Sequence, residues 1–95
     1  MTEITEAELR RIVDGILDDR ASIVRHNPIG SEEETLLWML MSSLVVYLSL
    51  NEMETPCFTG RPDAKTYKDA IEFILRDRKS DEFNAGPLID KLLNG

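Results

Sequence analysis

The sequence predicts an all-α fold: a small helical bundle of three main helices plus a short C-terminal helix, with the apolar second helix central, forming one domain over residues 1–95. Three observations carry this expectation. Apolar residues in the first and third segments recur at i, i+3, i+4 and i+7, the period of an amphipathic helix. Two helix-start signatures, Thr5 with Glu8 and Ser31 with Glu34, each precede an apolar stretch. No stretch of useful length alternates apolar and polar residues as a half-buried strand does. A chain of 95 residues has room for one small hydrophobic core.

The first helix is expected from Thr5 to Arg25 or His26. Thr5 is placed to cap the first-turn amides, Glu8 to reach back to the cap amide, and Ile4 to pack on Leu9 as a hydrophobic staple. Leu9, Ile12, Val13, Ile16, Leu17, Ile23 and Val24 form the apolar face; Glu6, Arg10, Asp14, Asp18 and Arg25 form the solvated one. Asn27-Pro28-Ile29-Gly30 is a turn, because Pro28 disfavours helical geometry in the residue before it.

The second helix is expected from residue 32 to about residue 52. Glu32, Glu33 and Glu34 sit where the positive end of the helix dipole favours carboxylates. Residues 36–50 then read LLWMLMSSLVVYLSL, without a charge, glycine or proline. Residues 51–62 are a connecting loop. The third helix follows from about Asp63 to Arg78, with Tyr67, Ala70, Ile71, Ile74 and Leu75 inward. Outward, i,i+4 spacing pairs Lys65 with Asp69, Lys68 with Glu72 and Glu72 with Arg76. Pro87 suits the first position of a short last helix, PLIDKLL, closed by Asn94-Gly95.

The apolar run decides more than any motif. A bilayer span needs about 20 apolar residues. This run is shorter, holds three serines and a tyrosine, and has acids at both ends. A core helix is therefore expected. A helix apolar on every side must also be covered on every side, and two amphipathic helices and a short one hide only part of it. A second copy of the chain would cover the rest, so a homodimer is expected, with Trp38, Met41, Val45, Tyr47 and Leu48 as the partner-interface anchors. The monomeric alternative turns a thin stripe of Thr35, Ser42 and Ser49 to water.

Composition narrows the function classes. With 18 acidic and 11 basic residues the net charge is −7, which disfavours gripping nucleic-acid phosphates or an anionic membrane surface. It leaves open a basic protein as a partner. Cys57 is the single cysteine, so no internal disulfide forms, and residues 1–20 are amphipathic and acid-rich, unlike a signal peptide. A cytoplasmic setting is expected.

No catalytic, cofactor-binding or metal-ligating residue is assigned. Cys57 lies in Pro-Cys-Phe-Thr-Gly-Arg, where Arg61 follows after only three residues, too soon for a phosphatase-type nucleophile loop. His26 is the only histidine and offers no zinc spacing. Glu32–Glu34 have no second carboxylate pair at matching spacing, so dipole-complementing caps explain them. Gly60-Arg61-Pro62 before the third helix, with Lys65, is only a weak anion-site signal. Ser42 and Ser43 fit back-bonding hydroxyls, and Tyr47 is expected to bring its hydroxyl to a surface.

Three functions from different classes remain. The first is a non-enzymatic protein–protein interaction or regulatory protein acting as a homodimer. The second is an acidic immunity or inhibitor protein that neutralises a basic partner such as a toxin. TEAEL at residues 5–9 and SEEE at residues 31–34 are similar to pieces of the four-helix immunity proteins of nuclease bacteriocins. Both pieces are generic capping boxes, and that family's acid-rich recognition helix and paired tyrosines are absent, so the family is not assigned. The third is a small metal-dependent hydrolase.

Overall fold

The computed structural model describes residues 3–26, 30–50, 63–76, 78–79 and 83–94. They form five helices: α1 (Glu6–Asp18), α2 (Arg20–His26), α3 (Glu32–Leu50), α4 (Ala64–Arg76) and α5 (Gly86–Asn94). Among the described residues there is no strand, and the all-α bundle expected from the sequence is the fold. The expected loop at residues 51–62, with Cys57 and Arg61, lies outside the described residues.

The first expected helix is two. Thr5 caps α1 through its hydroxyl, which accepts from the Glu8 amide at 3.1 Å. The return half of that capping box is not made, because the Glu8 carboxylate turns to Arg11 at 3.4 Å instead. The helix breaks at Asp19 (φ −106°, ψ 12°), whose amide reaches back to the Ile16 and Leu17 carbonyls. Asp18 and Asp19 put two carboxylates at the negative end of the helix dipole, where they are unfavourable, and aspartate is a weak helix former. After the break α2 lies against α3, with Ile23 and Val24 half-buried on the core.

Both halves of the second capping box form. The Glu34 amide donates to Ser31 Oγ at 3.1 Å and the Ser31 amide donates to Glu34 Oε1 at 2.9 Å. Gly30 enters the box at φ +119°, where side chains other than hydrogen are strained. Asp63 caps α4, its carboxylate accepting from the Thr66 amide at 2.8 Å. That bond holds the Asp63 carboxyl below its ordinary range. At α5, the Ala85 carbonyl accepts from Leu88 and Ile89, and Pro87 sits in the first turn, where its missing N–H costs nothing.

Helix α3 is central, touching α1, α2, α4 and α5; α1 also packs on α5, while α4 packs on α3 alone among the described helices. The core joins Leu36, Leu37, Leu40, Leu44 and Leu48 of α3 to Leu9, Val13 and Ile16 of α1. Tyr67, Ile71, Ile74 and Leu75 of α4 and Leu88 and Leu92 of α5 complete it, with Phe83 from the α4–α5 connection. By length and composition α3 could cross a membrane. Its leucine face is buried among the other helices.

One core element lies outside every helix. Ile4 is 0% exposed, and its amide donates to the Arg78 carbonyl at 2.7 Å, making an isolated parallel bridge with Lys79. The Tyr47 hydroxyl donates to the Glu3 carbonyl at 3.1 Å. The segment before α1 is thus strapped to α3 and to the end of α4.

Candidate interaction surface

The expected α3 anchors divide into three groups. Leu48 is fully buried in the chain's own core, so a partner reaches it only by opening the bundle. Tyr47 is half-buried and commits its hydroxyl to Glu3. Trp38, Met41 and Val45 are half-buried and packed on the core, each with only part of its surface facing out. The chain covers more of α3 than a count of three stripes allows, because the Asp19 break lets α2 fold onto it and the Glu3–Ile4 strap reaches Tyr47.

What stays open on α3 is its C-terminal end. Val46 is 57% exposed and Leu50 79% exposed, with Ser49 beside them. The expected polar stripe is not continuous: Thr35 is 1% exposed, its hydroxyl donating to the Ser31 carbonyl at 3.0 Å, and Ser42 is half-buried. Ser43 back-bonds to the Met39 carbonyl at 2.8 Å, so this hydroxyl is satisfied within its own helix.

A second open surface lies on α4, where the sequence reading places only a solvated charged face. Lys65, Thr66, Asp69, Glu72, Phe73 and Arg76 are all exposed, on the side turned away from α3. Phe73 is 51% exposed, and the Arg76 guanidinium lies over its ring, 5.2 Å from the centroid. Between α4 and the start of α5 runs an open groove of about 670 Å³, with Leu75, Ala85, Gly86 and Ile89 in its walls. Lys79 closes one end, donating to the Phe83 carbonyl at 2.6 Å while standing over the Phe83 ring. The chain carries one signal of this surface: Phe73 is the one aromatic residue on the charged face of this helix.

Part of the charge is spent in ion pairs within the chain. Arg20 pairs with Glu32 at 2.8 Å and also donates to the Leu92 and Leu93 carbonyls, which ties α2 to the C-terminal end of α5. Lys68 leaves its expected neighbour Glu72 and bridges to Glu33 of α3 at 2.7 Å. That bond holds the Lys68 ammonium above its ordinary value. Lys91 joins Asp14 at 2.8 Å, and Arg10 joins Glu6 at 3.1 Å. Glu32 and Glu33, dipole caps by sequence, thus also act as cross-helix partners.

His26 ends α2 exposed, its ring bonded to Ser22 of the same helix. Among the described residues no group of three or more His, Cys, Asp or Glu could hold a metal ion. No protein family, curated protein or solved structure matches the chain. Its surfaces alone bear on what it does.

Proposed function

We propose that this chain is a small, acidic, non-enzymatic interaction or regulatory protein of the cytoplasm that works as a homodimer. The observation that supports it is apolar surface left open by a bundle that otherwise covers its core. Val46 and Leu50 on α3 and Phe73 on α4 stay more than half exposed, while Trp38, Met41 and Val45 are only partly covered. Lone exposed apolar residues are common, but an exposed aromatic beside an open groove, with a partly covered tryptophan and methionine on α3, has the composition of interface cores.

The charge pattern bears on the kind of partner. Five acids among the described residues, Glu6, Glu8, Asp14, Glu32 and Glu33, are in ion pairs with the chain's own Arg or Lys within 3.4 Å. The net charge of −7 still leaves acids that these bases do not neutralise, so a basic partner stands as the alternative reading.

Sedimentation equilibrium of the full chain tests the reading. A dimer is expected at micromolar concentration. A clean monomer throughout that range refutes it.

A further inference from the structure

We infer that the second copy docks on the outer face of α4 and the α4–α5 groove, through a two-fold axis passing close to Phe73. The inference rests on the homodimer reading above and names the face that carries it.

The first reason is topological. Among the described helices α4 packs on α3 alone, so one whole side of it faces away from the bundle. That side holds an exposed aromatic ring at the lip of an open groove of about 670 Å³, whose walls mix Leu75, Ala85 and Ile89 with Glu72, Lys79 and Asn84.

The second reason is electrostatic. Along the outer face the order is Asp69, Glu72, Phe73, Arg76, acid before the aromatic and base after it. Asp69 lies four residues before Phe73 and Arg76 three after, about 6 Å and 4.5 Å along the axis at the rise of an α-helix. An antiparallel copy turned about Phe73 therefore brings Asp69 opposite the partner's Arg76, and does so twice. A parallel copy in register sets like charge on like. Isologous contacts require this self-complementarity. The open end of α3 supplies no counterpart: residues 36–50 carry no charge to set a register.

The third reason is cost. Among the described residues Asp69 is held by Lys65, at 3.9 Å and with both side chains well exposed. Such a pair is worth little, so Asp69 can turn to a new partner without a large penalty. The Arg76 guanidinium lies over the Phe73 ring, 5.2 Å from its centroid, which places a positive charge beside the aromatic on this face. In the dimer the two Phe73 rings meet near the axis, each at the lip of its own groove. One helix face and a groove lip make an interface at the small end of the stable range, consistent with micromolar association.

The experiment is sedimentation equilibrium on the full chain and four variants, with far-UV circular dichroism confirming the fold of each. Asp69→Arg and Arg76→Asp should each weaken the dimer by about 10-fold or more, because each places like charges opposite one another twice. The swap Asp69→Arg/Arg76→Asp should restore it, and an equimolar mixture of the two single variants should form a heterodimer. Val46→Glu should leave the dimer unchanged. Single variants that associate like the wild type, or a swap that fails to restore, overturn the inference; loss of the dimer in Val46→Glu alone moves the face to α3 and leaves the dimer reading standing. A wild-type monomer overturns both.

Discussion

Replacing Ile4 by alanine tests whether a residue four positions into the chain belongs to the core. The side chain is 0% exposed, and the substitution removes three of its carbons. At about 0.8 kcal/mol per buried carbon the lost transfer term is about 2.4 kcal/mol. The bundle cannot fully collapse around the gap, because the Glu3–Ile4 peptide is pinned at both its polar groups, the Ile4 amide to Arg78 and the Glu3 carbonyl to Tyr47. A residual cavity raises the expected cost to about 3–4 kcal/mol. A domain of this size holds roughly 5–15 kcal/mol in all, so the variant loses a large share of its stability. At about 4–8 °C per kcal/mol, its Tm falls by about 12–30 °C. Urea denaturation followed by far-UV circular dichroism, at one fixed protein concentration, gives the difference directly, and the slope m should not change. Tyr47→Phe, which removes only the hydroxyl bonded to Glu3, should cost about 1 kcal/mol in the same assay. A change below about 0.5 kcal/mol for Ile4→Ala, the scale of an ordinary surface substitution, refutes the strap.

Other outcomes follow from single features of the fold. Gly15 lies inside α1, and a methyl group on its Cα would meet nothing within 4 Å, so Gly15→Ala should raise stability by about 0.5–1 kcal/mol in the same denaturation assay. Gly30→Ala should lower it by about 1–3 kcal/mol, since it combines a φ of +119° with a Cβ 2.7 Å from the Glu34 carboxylate that completes the capping box. Ser31→Ala removes the other half of that box and should cost about 1 kcal/mol. The Asp63 carboxyl is held down by the Thr66 amide, so its contribution is present above the ordinary aspartate value and is lost as pH falls through the lower folded value; thermal melts of wild type and Asp63→Ala should differ at neutral pH and converge in acid. The Lys68 ammonium is held up by Glu33, so the sign reverses: melts of wild type and Lys68→Met should differ at neutral pH and converge as pH rises above the ordinary lysine value.

Most of the fold is legible in the chain because helix formation is written locally. The Ser31–Glu34 box, the start of α4 and the inward faces of α1 and α4 lie where periodicity and capping chemistry put them. The departures are of another kind. The break at Asp19 depends on two adjacent carboxylates meeting the end of a helix dipole, a small local penalty that becomes decisive once α2 can bury Ile23 and Val24 on α3. Lys68 pairs with Glu33 rather than Glu72 because tertiary packing sets α4 beside the first turn of α3. Leu48, an interface anchor by sequence, is instead core, while Val46 and Leu50 two residues to either side are exposed. On a helix apolar all round, period alone cannot say which side faces in.

The sequence by itself determined the helical class, the positions of four of the helix starts and the central place of the uncharged run from Leu36 to Leu50. Those features come from neighbours within one or two turns, whose interactions hold in any tertiary context. Only the tertiary structure decided which side of that run is covered, how Ile4 is strapped to Arg78 and Tyr47 to Glu3, and that α4 rests on a single neighbour among the described helices, with Phe73 outward beside a groove. Each of these depends on residues far apart in the chain coming together, and burial is shared among all the helices at once rather than assigned to any one of them.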